Sequence, residues 1–138
     1  MKKTFLSLSF ILLSLPLSAQ NIIVKANTFI LDGVSNQIIA DGNVSVTRKK
    51  MTISGSSVNY DQDTRTIQIK KALFDYPPYK GKSHEADYNI PAQIVTLTGE
   101  SQIKDESDIL KSESIVFNLK TNKLITRGKT KVTFSKSL

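Results

Sequence analysis

The feature that most constrains this chain is an internal echo. Shifted by 57 residues without a gap, residues 37–69 fall on residues 94–126. Gly42 lands on Gly99, Val46 on Ile103, Ile53 on Leu110, Val58 on Ile115, Tyr60 on Phe117, Thr64 on Thr121 and Ile67 on Leu124. Apolar positions keep their phase through the whole overlay, so the chain is one supersecondary unit used twice.

The unit is made of strands. Val44 and Val46 alternate with polar residues, as do Val58 and Tyr60, and Ile67 and Ile69. Period two is the pattern of a half-buried strand, and the β-branched residues crowding these runs fit a pleated surface. Turn chemistry separates them at Asp41-Gly42, Ser54-Gly55-Ser56 and Asp61-Gln62-Asp63. The pattern predicts strands at 21–24, 29–31, 38–47, 51–53, 58–60, 66–69 and 130–134. Each unit is then a meander of three or four antiparallel strands with one apolar and one wet face. Residues 76–82 are predicted as loop or edge, because Pro77 and Pro78 cannot donate to a ladder. Asn89-Ile90-Pro91-Ala92 is read as a turn, and Arg48-Lys49-Lys50 as a solvated one. The second copy is acidic at that place, with Asp105, Glu106 and Asp108.

Residues 1–19 have the three parts of a secretory signal. Lys2 and Lys3 precede an apolar run over 5–15, and Leu17-Ser18-Ala19 resembles a cleavage site before Gln20. The run is shorter than the roughly 20 apolar residues of a spanning helix, and Pro16 stops it. Cleavage leaves one exported domain, residues 20–138. It has no cysteine, so its sheet core is expected to suffice without disulfides. Losing Lys2 and Lys3 leaves 17 basic against 12 acidic residues, a net charge of +5. That excess matches either simple solubility or an anionic partner, with lipid or glycolipid better placed than nucleic acid, for which no recognition motif is present.

Reactive chemistry is not evident. His84 is the one histidine, and His84-Glu85-Ala86-Asp87 lacks the second histidine of a zinc helix. It reads as an exposed or capping side chain. Asp61 with Asp63, and Glu100 with Asp105, form carboxylate pairs on paper, but Asp61 and Asp63 sit where turns need Asp. No phosphate loop or nucleophile elbow appears. The reading is a non-enzyme with no cofactor and no metal.

Gly42-Asn43-Val44-Ser45-Val46, the 57-residue echo and the run GKSHEADYNIPAQIVTLTG over 81–99 resemble the OstA-like (LptA) family of periplasmic lipopolysaccharide-transport proteins. The resemblance spans residues 22–134. It implies a slightly twisted antiparallel β-jellyroll, open at both ends, whose interior takes the acyl chains of lipid A. It also implies head-to-tail homo-oligomers that bridge an inner-membrane extraction complex, with its anchored jellyroll subunit, to an outer-membrane translocon. By matched position, Ile22 and Val24 fall near one mouth, and Phe74, Tyr88 and Ile90 on the lining. Period-two phase adds Val44, Val46, Ile53, Val58, Leu97, Ile103, Leu110 and Phe117 to the inner face. Lys49, Lys50, Lys80 and Lys82, at strand ends and loops, are the candidates for an anionic head group. Ser101 replaces Val44 in the second copy, so that wall is expected to be less apolar.

Three rivals stand beside this reading: the membrane-anchored partner of the same pathway, a structural or adhesive β-domain with a filled interior, and a glycan-acting enzyme, for which no acid/base pair can be nominated. End-to-end assembly is expected through strand addition, because the strands at 22–24 and 130–134 carry little charge and no proline.

Overall fold

A computed structural model of the protein describes residues 2–6, 9–13 and 21–135, the side chains from 21 onward. The echo is carried into the backbone. β5 (Gln37–Arg48), β6 (Met51–Asp61) and β7 (Thr66–Tyr76) have the same bounds, moved by 57, as β9 (Ile94–Asp105), β10 (Asp108–Asn118) and β11 (Lys123–Thr133). β8 (Tyr79–Asn89) joins the two copies. Its counterpart is a strand broken in two, β3 (Asn21–Lys25) and β4 (Thr28–Asp32). The order across the antiparallel sheet is β4-β5-β6-β7-β8-β9-β10-β11, with β3 beside the second half of β5. The backbone of β1 (Lys2–Leu6) pairs with β4, and that of β2 (Ser9–Leu13) with β3. The expected cleavage site at Leu17-Ser18-Ala19 lies outside the described residues.

Local chemistry explains the hairpins. At one end, Asp32, Asp61, Asn89 and Asn118 each accept backbone N–H bonds from residues two or three further on. The same carboxylate or amide oxygen therefore opens four successive turns, which is why Asp and Asn stand there. These turns stack, since Gln62 N donates to Asn36 O, Ile90 N to Arg65 O and Leu119 N to Gln93 O. At the other end the loops have two residues: Lys49-Lys50, Pro77-Pro78 (a cis peptide) and Glu106-Ser107.

Three expectations are corrected here. Asp41-Gly42 and Ser54-Gly55-Ser56 are not turns; β5 and β6 run through both. Residues 79–82 belong to β8, and the prolines form only its tight entry. The last strand begins at Lys123, not Thr130, and carries Lys123, Arg127, Lys129 and Lys131. At Asp41-Gly42 the reason is that glycine permits φ > 0 in a hairpin and in a bulge alike, and only the partner's register tells them apart. Gly42 and Asn43 (φ 81° and 48°) are skipped between Asp41↔Ser57 and Val44↔Gly55, and Gly99 and Glu100 (φ 88° and 47°) are skipped in the same way. A bulge bends its strand. These bends lie mid-strand across the sheet and fold its two halves face to face.

Candidate lipid-binding interior

The bend puts one face of both halves inside. Ile22, Val24, Val44, Val46, Ile53, Val58, Phe74, Tyr88, Ile90, Leu97, Ile103 and Phe117 are all buried there. Leu110, also on that face, is half-buried and packs against them. Alternation runs unbroken along β5, from Ile38 and Ala40 to Val44 and Val46, but slips by one residue at the bend in its neighbours, where Met51 and Ile53 give way to Val58, and Ile67 and Ile69 to Ala72 and Phe74. Ile38, Ile67, Ile69, Met51, Val95 and Ile115 complete the face.

At one end the interior finishes in aromatic rings. Phe117 meets Phe74, Tyr79 and Tyr76 with centroids 5.6, 5.4 and 5.2 Å apart. Tyr76 donates its hydroxyl to Asn122 Oδ1 at 3.0 Å, tying a two-residue loop to the opposite turn line. Arg48 follows Val44 and Val46 in phase and so points inward. It is 9% exposed and donates Nη1 to the Tyr88 hydroxyl at 2.7 Å. Burial pushes the Tyr88 phenol up, and the Arg48 hydrogen bond and charge pull it back in part.

The lysine candidates divide. Lys49 and Lys50 are exposed and line a cavity of about 400 Å³ with Arg48, Met51, Tyr76, Gln93 and Leu119. Lys50 Nζ stands 4.6 Å from the Tyr76 ring centroid, a cation–π contact. Lys82 lines a different hollow, of about 660 Å³, with Glu100, Ser101, Gln102, Lys111, Ser112, Glu113, Lys129, Thr130 and Lys131. Lys80 lines neither and sits between Asp75 and Lys104 in register. The four lysines are therefore not one site.

Ser101 is buried and donates Oγ to Leu97 O at 2.8 Å and to Glu113 O at 3.3 Å. Ser83 and Ser112 are buried on neighbouring strands. The second copy's wall is thus more polar than the first at the bend, as the Val44-to-Ser101 replacement implied. His84 is exposed and covers Gly99, where an added Cβ would meet its Nδ1 at 2.8 Å. Asn27 covers Gly42 in the same way. Asp61 serves its turn. The reading of Arg48-Lys49-Lys50 as a solvated turn is corrected for Arg48, which ends β5 and is buried; its phase with Val44 and Val46 was the available signal. Tyr76 and Tyr79 were not assigned to the interior.

An antiparallel meander bent into an open-ended roll, with a largely apolar inner face, defines a β-jellyroll. The chain belongs to the family described as "LptA/(LptD N-terminal domain) LPS transport protein", whose model matches residues 23–123. No curated protein sequence matches it. Among solved structures it is similar to LptH of Pseudomonas aeruginosa, described as the LptA-homologous periplasmic component of the conserved lipopolysaccharide transport device. The TM-score is 0.74 and the identity 18%, over 83% of this chain and 95% of that one. At that identity the likeness shows the fold. The chain is thus a lipopolysaccharide-transport protein of the LptA type.

Proposed function

We propose that this chain is a periplasmic bridge component that carries lipopolysaccharide from the inner to the outer membrane, holding the lipid A acyl chains on its apolar inner face. The observation that carries this reading is the apolar cluster running from Ile22 to Phe117 through both copies, interrupted by Arg48 and by Ser83, Ser101 and Ser112. Burying an acyl chain yields about 0.8 kcal/mol per CH₂. A chain entering at a mouth replaces contacts between the two halves with contacts of the same kind, so the halves part without exposing apolar surface to water. Residues 1–19 act as the export signal in this reading. Their removal would uncover β3 and β4 for strand addition by a neighbour: another copy, the anchored jellyroll subunit of the extraction complex or the outer-membrane translocon. β11 offers the opposite edge, pairing only with β10 among the described residues. Its four basic residues make that edge selective rather than sticky.

The test is a photo-crosslinking amino acid placed at Phe74 or Tyr88, on the inner face, and at Ser45, of opposite phase. The inner positions are expected to trap lipopolysaccharide in cells and Ser45 to trap little. Equal labelling at all three would defeat the inward assignment.

A further inference from the structure

We propose that the outer face of the second copy is a lysine grid by which the protein docks on an anionic lipid bilayer. The grid lies on the back of the wall whose other side is the apolar interior. It is a second contact, independent of what the interior holds.

The first observation is register. Directly opposed residues of neighbouring strands share a face. Two rows cross β8 to β11 on the side away from the buried Ser83, Ser101, Ile103 and Ser112. One is Lys82↔Gln102↔Lys111↔Lys131 and the other Lys80↔Lys104↔Ile109↔Thr133. All five lysines are exposed, and neither row holds a carboxylate. With strands about 4.8 Å apart, the lysines root within about 15 Å of one another. Beside them, Lys82, Lys111, Lys129 and Lys131 line the hollow of about 660 Å³ against only two carboxylates, Glu100 and Glu113. The second observation is an internal control. The same rows continue over the first copy as Lys25↔Ser45↔Ser54↔Leu73 and Ile23↔Thr47↔Thr52↔Asp75. One cation and one anion stand there, so the fold does not require the charge. The third observation is cost. Lys80 is directly opposite Lys104, and Lys111 opposite Lys131, and like charges so placed destabilise a sheet. Lysines spread apart would serve solubility without that cost.

The chemistry of the grid selects the partner. Protein interfaces centre on aromatic, Met and Arg side chains and are depleted of Lys, and the five-lysine rows are the reverse. Single-stranded nucleic acid is held on aromatic platforms, which these rows do not present. Lysines are flexible point charges, suited to phosphates that are themselves mobile in the plane of an anionic leaflet. Each lysine near such a surface strengthens binding by about fivefold.

The test is co-sedimentation of the protein with phosphatidylcholine vesicles, with and without an equal part of phosphatidylglycerol. Both vesicles offer the same chains to the interior, so the difference between them reads the charged face. Wild type is expected to bind the mixed vesicles tighter by about tenfold or more, and high salt to erase the difference. Lys111→Gln/Lys131→Gln should weaken binding to the mixed vesicles by about 25-fold, fivefold for each lysine. Both side chains are exposed and directly opposed, so the variant is expected to fold at least as well as wild type. Lys120→Gln/Lys123→Gln makes the same change of charge in the exposed turn before β11 and should cost less than about twofold. A wild type without preference for the mixed vesicles overturns the proposal. Equal losses from the two pairs overturn it as well, because net charge rather than the grid would then be acting. Displacement from the vesicles by polyglutamate, as complete as by further mixed vesicles at matched charge, assigns the face to an acidic polypeptide and overturns the bilayer.

Discussion

β7 and β11 occupy the same place in the two copies and fare differently. β7 lies between β6 and β8, and Ile67, Ile69, Ala72 and Phe74 on it are fully buried. Their counterparts on β11 are Leu124 and Thr126, half-buried, and Lys129 and Lys131, exposed. Val132 and Ile125 are 46% and 56% exposed. Identical backbone bounds thus give a core strand in one copy and an edge in the other. Coverage, not conformation, separates them, and the lysines on β11 belong to a strand that has water where β7 has a neighbour.

The largest expected effect breaks the comparison at one register. Phe74→Ala removes a ring packed on Phe117 and Tyr76 and should cost about 3–5 kcal/mol. Lys131→Ala, its counterpart, should stay within about 0.5 kcal/mol. Urea unfolding of both variants measures the difference, and similar losses would mean that β11 is as embedded as β7.

Next come the bends. Gly42→Ala and Gly99→Ala each force a Cβ onto a residue at φ of 81° and 88°, at a cost of about 1–3 kcal/mol. Gly99→Ala should be the worse, because the new Cβ lies 2.9 Å from the His84 Cβ, which cannot swing away. At Gly42 the nearest atom is Asn27 Nδ2 at 2.7 Å, a side-chain end. Asn27→Ala should therefore recover part of the Gly42→Ala loss, and His84→Ala less of the Gly99→Ala loss. Thermal melts of the four single and two double variants settle the order.

A smaller effect sharpens the contrast at Val44 and Ser101. Ser101→Val removes the donor to Leu97 O and Glu113 O and adds a methyl group, for a loss of about 1–2 kcal/mol. Were the second copy's wall simply a weaker version of the first, this change would stabilise instead, which denaturant midpoints would reveal.

The smallest concerns Asp87, where the first copy has Ile30. Burial first, then the Glu85 charge, push its carboxyl above the usual value, and a Gln68 hydrogen bond lowers it in part. The folded pKa is raised, so the proton binds more tightly in the folded state. That contribution is full below the ordinary aspartate value and is lost as pH rises through the folded value. Asp87→Asn should gain a few tenths of a kcal/mol at neutral pH, since the group is only partly buried and solvent screens it, and the gain should vanish on acidification. A gain unchanged at low pH would assign it to something other than the charge.

Much of this was readable in advance. The 57-residue offset reproduces six strand bounds, alternation placed Leu97 and Phe117 inside, and the family resemblance placed Phe74 there. Asp61 and Asn89 marked true turns because an Asx oxygen satisfies local N–H groups whatever lies beyond. Ser54-Gly55-Ser56 and the Pro77-Pro78 stretch misled, since the same residues serve a bulge or a two-residue loop inside a longer hairpin. The final strand was placed too late because Gly128 at φ 86° divides it.

The sequence by itself determined the meander, its duplication and the side of each strand that is apolar, because these follow from period two and from hydrogen bonds between near neighbours. Only the tertiary structure decided which copy is covered and where a charge ends up. Lys49 and Arg48 are adjacent in a basic run, yet one is in water and the other lies against Tyr88, forty residues away. Phase pointed Arg48 inward, but its burial depends on the opposite half of the sheet folding over it, and that contact is non-local.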